Sequence, residues 1–517
     1  MVVDELKYKI LQQFGFPPTQ EQANALDVFA RFLTDRNPQV VMILRGSAGT
    51  GKTSLSGAIV RTLQAIRQKV MLLAPTGRAA KVFSLNSGTP AYTIHRRIYR
   101  EKSFSGVDGQ FNLNDNLFTD TLFMVDEASM VANMGLGGMN FGSGCLLDDL
   151  VHFVYQGRND RLMLIGDKAQ LPPVGEEESP ALNAAMLQGY GLTVYECDLN
   201  EVLRQSEQSG ILYNATMIRQ MITHDDITQL PKIRFTGFSD IRQMPGAELI
   251  EALADSYHHV GLDDTIVVTR SNKRANIFNQ GIRNMVLDRE EELSQGDILM
   301  IVKNNYYWME EERKKLSEER RVKSEETEFG GRRESQFNCL ANHKVQSSNL
   351  KVPSNDIPAF LANGDRAKVL KVRRRIDLYG FRFATLLLQF PDYGNYELEA
   401  TVLLDTLTSE APALTHEQQE QLFHQIEEDY QDVPLKADRM KAIRQDQFYN
   451  ALQVKFAYAV TCHKAQGGQW AHVYVDQGYM TDDMLTPDYI HWLYTAFTRA
   501  TEMLYLVNWP ETQIETS

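Results

Sequence analysis

The sequence predicts an α/β protein with two parallel sheets, an inserted small β-barrel and a short hairpin. Apolar β-rich runs alternate with helix-like stretches through residues 1–200, and a second set of such runs follows. A stretch of different pattern interrupts that second set. A chain of 517 residues is also too long for a single core, so several domains are expected.

The first sheet is predicted from apolar runs at 40–44, 70–74, 122–125, 162–165 and 192–195. Polar and glycine-containing residues directly follow the middle three of these runs. Because open α/β sheets bind ligands at the carboxyl ends of their strands, we expect the chemistry to lie along one edge of this sheet.

The second sheet is predicted from runs at 265–269, 298–302, 454–460, 472–475 and 503–507, interrupted by an insertion at 303–452. The insertion opens with a charged run at 310–334, which predicts a solvated helix and loop. A turn signal and two alternating runs at 367–372 and 384–390 follow, and they predict a small SH3-like β-barrel with helical additions.

Composition excludes several classes of protein. No stretch approaches about 18 consecutive apolar residues, so no membrane span is expected. The N-terminus lacks the basic flank and apolar core of a signal peptide, which predicts a cytoplasmic location. The four cysteines are scattered without metal-ligand spacing, so neither disulfides nor zinc are indicated. The net charge of −14 argues against indiscriminate coating of nucleic acid but allows one positively lined groove.

A phosphate-binding loop follows the first predicted strand. It matches the pattern G-x-x-x-x-G-K-[ST] at every fixed position, and such loops direct backbone N–H groups and a helix N-terminus at phosphate oxygens. In this interpretation Lys52 reaches the β- and γ-phosphates of ATP, and Thr53 binds Mg²⁺. The predicted loop consists of Gly46, Ser47, Ala48, Gly49, Thr50, Gly51, Lys52 and Thr53.

Acidic and amide side chains follow the third and fourth runs. Asp126 is predicted to hold the Mg²⁺, and Glu127 to orient and deprotonate the attacking water. An Asp-Glu pair at a strand end is often structural, but its position after a phosphate loop favours catalysis. The amide of Gln170 is suited to bonding the γ-phosphate, and Pro172 and Pro173 would either transmit a shift of Gln170 or simply make the loop rigid.

Further motifs occur in a fixed order along nearly the whole chain. They lie at 19–22 (TQEQ), 74–80 (APTGRAA), 93–96 (TIHR), 199–205 (LNEVLRQ), 460–467 (VTCHKAQG) and 494–500 (YTAFTRA). With the phosphate loop and the two carboxylates, this series resembles the motifs of superfamily 1 helicases, in the RecD- and Dda-like subgroup. The resemblance implies two RecA-like motor domains that close on Mg²⁺-ATP.

The resemblance also implies roles for individual residues. Gln22 would read the adenine edge, Arg204 would contact a phosphate of the ATP, and Arg499 would approach the γ-phosphate. Gln466 and Gly467 would lie near the nucleotide. The implied catalytic residues are Lys52, Glu127, Gln170, Arg204 and Arg499. The implied DNA-contacting residues are Thr76, Gly77, Arg78, His95, Arg96, Thr461 and His463. The chain departs from the family pattern at Gln469 and Cys462, which affects the expected nucleotide preference more than activity.

Two stretches, a predicted hairpin with phenylalanines and a run of basic residues, each have a DNA-binding and a structural explanation. Residues 103–111 predict a hairpin at the position of a strand-separating pin, with Phe104 or Phe111 stacking on the last base pair. An ordinary turn with core phenylalanines explains the same residues. The basic residues at 366–375 would either line a DNA path or, as we prefer, solubilise the barrel.

The first RecA-like domain is predicted at 1–195, with a hairpin insertion at about 99–118. The second is predicted at 196–302 and 453–517. The accessory domain is predicted at 303–452. The predicted function is an ATP-dependent helicase that travels on single-stranded DNA and meets duplex junctions, with 5′ to 3′ polarity implied by the subgroup. The motor subunit of an exonuclease complex and a protein-remodelling switch remain alternatives. Single-stranded-DNA-binding or recombination proteins are possible partners, and replication, recombination and repair are not distinguished.

Overall fold

The computed structural model describes residues 3–104, 109–135, 142–201, 208–224, 228–330 and 360–515. The chain divides into two compact units. We call Met1–Glu292, Thr408–Pro412 and Phe456–Ser517 the two-sheet unit, and Leu293–Leu407 with Ala413–Lys455 the barrel unit. Within the described residues, no helix is both long and apolar enough to cross a membrane.

The N-terminal part of the two-sheet unit contains the first sheet and the hairpin. Its strands are β1 (Val40–Gly46), β2 (Lys69–Ala74), β3 (Ala91–Thr93), β4 (Tyr99–Phe104), β5 (Gly109–Leu113), β6 (Thr121–Val125), β7 (Arg161–Gly166) and β8 (Thr193–Leu199). Its helices are α1 (Val3–Phe14), α2 (Gln20–Thr34), α3 (Lys52–Ala65), α4 (Gly77–Ser87), α5 (Ile94–Ile98), α6 (Leu146–Gln156) and α7 (Ala184–Gly189).

The first sheet has the order β3-β2-β6-β7-β1-β8, and all of its paired strands are parallel. The central strand β1 is buried along its whole length, as expected for a parallel strand covered on both faces. Its alternate side chains enter two separate cores, with Met42 in one and Ile43 in the other. This burial fixes where β1 ends and therefore where the phosphate loop begins.

The rest of the chain forms the second sheet and the barrel. The strands are β9 (Ile241–Met244), β10 (Thr265–Thr269), β11 (Ile298–Ile301), β12 (Arg366–Leu378), β13 (Phe381–Phe390), β14 (Tyr396–Leu403), β15 (Leu452–Phe456), β16 (Ala459–Thr461), β17 (Trp470–Asp476) and β18 (Ala500–Val507). The helices are α8 (Gly210–Thr223), α9 (Leu249–His259), α10 (Asn272–Gly281), α11 (Tyr307–Gly330), α12 (His416–Asp429), α13 (Lys436–Arg444), α14 (Cys462–Ala465) and α15 (Pro487–Phe497).

The second sheet has the parallel order β16-β10-β17-β18-β9, and β11 to β15 close into a barrel. The two RecA-like sheets and the inserted barrel therefore match the predicted fold class. The strands β4 and β5 pair antiparallel, which agrees with the predicted hairpin. The charged run is helical in α11 up to Gly330.

Two apolar runs lie in a different sheet from the one expected. The run at 298–302 was expected in the second sheet, but it forms β11 of the barrel and pairs with β12. The run at 454–460 is divided between β15 of the barrel and β16 of the second sheet. Short apolar runs fit any strand buried on both faces, so the pattern alone does not select the sheet. The strand β8 also continues to Leu199, beyond the boundary predicted at 195.

Candidate functional site

The phosphate loop joins β1 to α3 through left-handed glycines. Gly49 has φ +78° and Gly51 has φ +80°, conformations that glycine adopts without steric cost. No side chain caps α3 at Gly51, so the N–H groups of its first turn are left for an anion. A Cβ at Gly46 would lie 2.8 Å from Thr50 Oγ1. The loop thus has the shape and polarity that a phosphate requires.

Lys52 and Gln22 hold the loop through its carbonyl groups. Lys52 Nζ donates to Gly46 O at 2.6 Å and to Ser47 O at 2.8 Å. Gln22 is buried, and its Nε2 donates to Thr50 O at 2.9 Å. Its Oε1 accepts from Thr19 N at 3.0 Å in a capping box at the start of α2. The amide of Gln22 therefore links the loop to the helix start, in addition to the adenine contact that the resemblance implies.

The carboxylates Asp126 and Glu127 lie directly after β6, the neighbour of β7 in the sheet. Glu127 N donates to Asp126 Oδ1 at 3.0 Å, and Glu127 adopts φ +52°, a conformation uncommon for residues other than glycine. Burial, together with the charge of Glu127, raises the pKa of Asp126 to about 7. A divalent cation would favour the ionised form of this carboxyl group.

Buried polar atoms without a protein partner occur at the ends of three neighbouring strands. In the part of the chain that the structure describes, these atoms include Ser47 Oγ, Ser129 Oγ and Gln170 Oε1. They follow β1, β6 and β7, where the loop, the carboxylates and the predicted sensor amide lie. Buried polar groups in proteins nearly always have a partner, so this edge is suited to a polar ligand. The residues present fit Mg²⁺-ATP, with Thr53 and Asp126 as the oxygen ligands of the metal.

Side chains of α15 and of the motif after β16 form hydrogen bonds with the segment that follows β7. Tyr494 on α15 donates its hydroxyl to Asp167 Oδ2 at 2.5 Å, and the same hydroxyl accepts from Ala48 N of the phosphate loop at 3.1 Å. Thr495 Oγ1 accepts from Leu171 N at 2.7 Å. Two further contacts join His491 Nδ1 to Ala169 O at 2.9 Å and Gln466 Nε2 to Leu171 O at 2.8 Å.

Of these contacting side chains, sequence reasoning gave a role to Gln466 alone. Tyr494 and Thr495 lie in the motif at 494–500 but were given no role, and His491 was missed, although the three lie at positions i, i+3 and i+4 of one helix. Residues at this spacing share a helix face, so a polar stripe on an otherwise apolar helix was the available signal.

Of the two arginines that were expected at the phosphates of ATP, the structure describes Arg499. Arg499 is 3% exposed, and its guanidinium donates to Thr495 O, Gly468 O and Thr498 Oγ1. It is therefore held by residues of its own part of the chain. Arg204 lies outside the described residues.

Several of the expected DNA-contacting residues lie beside Gly467 and Gly468. Thr76 caps α4 by accepting from Ala79 N at 3.2 Å, and Gly77 is the first residue of that helix. A Cβ at Gly467 would lie 3.2 Å from Thr76 Oγ1. The Arg78 guanidinium lies 4.1 Å from the centroid of the Trp470 ring and donates to Gln469 O at 3.0 Å. The structure thus brings the predicted DNA motif of the first sheet against the motif after β16.

The other expected DNA-contacting residues lie on two short helices. His95 and Arg96 are on α5, where Arg96 packs 5.1 Å from the Tyr92 ring. Burial lowers the pKa of His95 to about 4, so its ring is neutral near pH 7. Thr461 is the N-cap of α14 and does not use its side chain for capping, and His463 is exposed.

The two candidate pin residues lie on the hairpin. Phe104 ends β4 and Phe111 is in β5, but their side chains lie outside the described part of the chain. The base of the hairpin is anchored, because Tyr99 donates its hydroxyl to buried Asp149 Oδ2 at 2.6 Å.

The fold and the site define a P-loop ATPase core followed by a second RecA-like domain. Two family models match the chain in that order: an AAA domain at residues 18–230 and a UvrD-like helicase C-terminal domain at residues 456–507. Together with the RecD2 and dda helicases described next, these matches confirm the resemblance to superfamily 1 helicases of the RecD- and Dda-like kind.

Individual relatives share parts of the chain. The ATP-dependent RecD2 DNA helicase of Deinococcus radiodurans is 31% identical over 30% of this chain and 18% of its own length. The ATP-dependent DNA helicase dda of Enterobacteria phage T4 is 24% identical over 55% of this chain and 60% of its own length. The matched region therefore spans less than two thirds of either relative. A crystal structure of a Pif1 helicase from Bacteroides, in complex with ADP-AlF3 and ssDNA, aligns over 97% of this chain and 95% of that chain, with a TM-score of 0.44 and 13% identity.

Proposed function

We propose that this protein is an ATP-dependent DNA helicase that translocates on single-stranded DNA, 5′ to 3′, and separates duplex DNA. The observation that carries the proposal is the direct contact between the phosphate loop and α15 of the second sheet, made by Ala48 and Tyr494. A loop that binds ATP and also bonds the second sheet links nucleotide state to the relative position of the two sheets. Two relatives that share part of this chain are named as ATP-dependent DNA helicases.

In this function, the residues of the first sheet hold the triphosphate and start hydrolysis. Lys52 exchanges its bonds to Gly46 O and Ser47 O for bonds to phosphate oxygens, and the first-turn N–H groups of α3 bind the same anion. Thr53 and Asp126 hold Mg²⁺, which supplies positive charge to the phosphates when bound. Glu127 orients water and accepts its proton, while Gln170 contacts the γ-phosphate.

The second sheet supplies the charge that responds to hydrolysis. Arg499, with Arg204, is proposed to stabilise the γ-phosphate, which requires the Arg499 guanidinium to exchange its present carbonyl partners for phosphate oxygens. Gln466 and Gly467 keep this sheet close to the nucleotide. Loss of the γ-phosphate removes the main attraction for the arginines, so the sheets separate.

The DNA strand is proposed to pass over the motif beside Gly467 and over the short helices α5 and α14. Their hydroxyl, imidazole and guanidinium groups bond phosphates and do not read bases, as a motor that crosses every sequence requires. The residues are Thr76, Gly77, Arg78, His95, Arg96, Thr461 and His463. The hairpin β4–β5 is proposed to meet the duplex junction.

Strand separation on two tailed duplexes tests the proposal. One duplex carries a 5′ single-stranded tail and the other a 3′ tail, with ATP and Mg²⁺ present. We expect unwinding of the 5′-tailed duplex alone, and unwinding of the 3′-tailed duplex alone would keep the helicase but reverse the polarity. Failure on both duplexes, with ATP hydrolysis indifferent to DNA, would instead favour a protein-remodelling switch.

Lys52→Ala provides the matched negative variant for this assay. It removes the ammonium group that the phosphates require, so hydrolysis and unwinding should both be lost while the protein stays folded. Lys9→Ala removes a half-exposed lysine whose ammonium group pairs with Glu5 on α1, and it should leave both activities intact. Substantial hydrolysis by Lys52→Ala would contradict the assignment of the phosphate loop.

A further inference from the structure

The hydroxyl of Tyr494 bonds two groups in the loops that follow strands β1 and β7 of the first sheet. It donates to Asp167 Oδ2 at 2.5 Å and accepts from Ala48 N at 3.1 Å. Tyr494 and Asp167 are each 1% exposed, so the bond between them is shielded from water. One side chain on helix α15 thus bonds both the phosphate loop after β1 and the segment after β7.

The bond to Asp167 is the stronger of the two, because a hydroxyl that donates to a carboxylate makes a charge-assisted hydrogen bond. Asp167 in turn accepts from Ala169 N at 3.0 Å through its other oxygen. Burial, and then the charge of Asp167, raise the pKa of Tyr494 well above its ordinary value, so the phenol stays protonated and donates. Removal of the hydroxyl would leave a buried carboxylate oxygen and a loop N–H without this partner.

Three neighbouring side chains also contact the segment after β7. Thr495 and Gln466 bond the N–H and the carbonyl of Leu171, and His491 contacts Ala169 O. All of these partners are backbone groups of the segment that carries Gln170. Tyr494 differs from them because it alone also reaches the phosphate loop among the contacts that the structure describes.

We propose that Tyr494 is a positioning residue that couples the conformation of the phosphate loop to the approach of the second sheet. This inference rests on the proposed function, because it assigns a regulatory role at the same ATP site. The first-turn N–H groups of α3 remain available for phosphate, so the coupling acts on turnover and leaves nucleotide binding nearly unchanged. The two bonds form together only when α15 lies against both segments.

The test compares Tyr494→Phe with Tyr489→Phe. Both tyrosines are buried on α15, but the Tyr489 hydroxyl donates to Gln477 Oε1 inside the second sheet and does not bond the phosphate loop. For each variant we would measure the affinity for a fluorescent ADP analogue, the kcat of ATP hydrolysis with saturating single-stranded DNA, and the melting temperature.

For Tyr494→Phe we expect affinity within about twofold of the wild type and a DNA-stimulated kcat lowered roughly tenfold, the effect of one lost bond to a charged group. Tyr489→Phe should melt at a temperature similar to that of Tyr494→Phe and keep the wild-type kcat. This split between kcat and affinity would not arise from a general loss of folded protein.

Three outcomes would overturn the inference: an unchanged kcat in Tyr494→Phe, an equal loss in both variants, or weaker ADP binding with unchanged kcat. Failure of the proposed function would be visible in the wild type itself. If the wild type hydrolyses ATP without stimulation by DNA, the helicase proposal fails, and the two variants are compared through their basal kcat. A wild type that hydrolyses no ATP would overturn both proposals.

Discussion

Replacement of Gln22 by alanine tests how this residue acts on the nucleotide. The substitution removes the bond from Nε2 to the buried Thr50 O and the bond from Oε1 to Thr19 N. Loss of a partner for a buried carbonyl costs about 1–3 kcal/mol. Loss of the reciprocal bond in the capping box costs about 1 kcal/mol more in helix stability. We therefore expect a total loss of about 2–4 kcal/mol, part of it in the ordering of the phosphate loop.

The loop contribution predicts a particular kinetic result. Because Gln22 acts on the backbone of Thr50, it influences the phosphates that all nucleoside triphosphates share. The kcat/KM for ATP and for GTP should therefore fall by the same factor, roughly tenfold. Steady-state hydrolysis of each nucleotide, with single-stranded DNA at saturation, measures the two factors.

A second variant separates the loop contact from the helix cap. In Gln22→Glu, a side-chain oxygen still accepts from Thr19 N, but no group donates to Thr50 O. This variant should regain only about 1 kcal/mol of the stability that Gln22→Ala loses, the contribution of the helix cap, while showing the same loss of kcat/KM for both nucleotides. A loss confined to ATP, with GTP hydrolysis unaffected, would refute this reasoning and establish that Gln22 reads the adenine edge.

Two more substitutions test other parts of the chain. Gly467→Ala places a Cβ 3.0 Å from Ala79 Cβ and 3.2 Å from Thr76 Oγ1, so it should lower DNA-stimulated hydrolysis about tenfold by holding the segments apart. Gly478→Ala is the control, since its φ of +69° imposes the same backbone strain but its Cβ meets nothing within 4 Å; equal losses in both variants would contradict the steric explanation. In the barrel unit, burial raises the pKa of Asp365 to about 7 from its ordinary 3.8, so the wild type should lose stability as pH rises between these values. Asp365→Asn should remove this loss. Urea unfolding should show that the variant's free energy of unfolding, relative to the wild type, rises by up to about 4 kcal/mol between pH 4 and pH 8. A difference in unfolding free energy between the two proteins that is the same at both pH values would contradict the raised pKa.

The features that a sequence pattern can locate directly are those formed by contiguous residues. The phosphate loop and the pair Asp126–Glu127 need a strand followed by a few particular side chains, and each is complete within a short segment. The bond from Tyr494 to Asp167 joins residues 327 positions apart, so only the folded chain brings them together. Phenylalanine would suit the apolar pattern of α15 equally well, and the pattern therefore did not single out the hydroxyl.

The wrongly placed strands have a related physical cause. The run at 454–460 is apolar apart from the buried Lys455, and burial on both faces satisfies it in a barrel or in a parallel sheet. Its first residues belong to β15, which pairs with the barrel strand β14 through Leu452 and Val402, whereas Ala459 pairs with Val267 of the second sheet. Strand partners are long-range information that hydrophobic periodicity does not contain.

The contacts of Leu171 bear on whether the segment after β7 transmits a shift of Gln170 or is simply rigid. The N–H of Leu171 donates to Thr495 and its carbonyl accepts from Gln466, so the second sheet holds both backbone polar groups of the residue next to Gln170. Pro172 and Pro173 have no N–H to offer as replacements, and their fixed φ leaves the backbone little freedom to absorb a displacement. A movement of Gln170 must then either carry the helix that bears Thr495 with it or break buried hydrogen bonds at a cost of about 1–3 kcal/mol each. Rigidity of the segment and transmission through it are therefore the same physical property, because a stiff connection that is bonded at both ends passes on the displacement it cannot absorb.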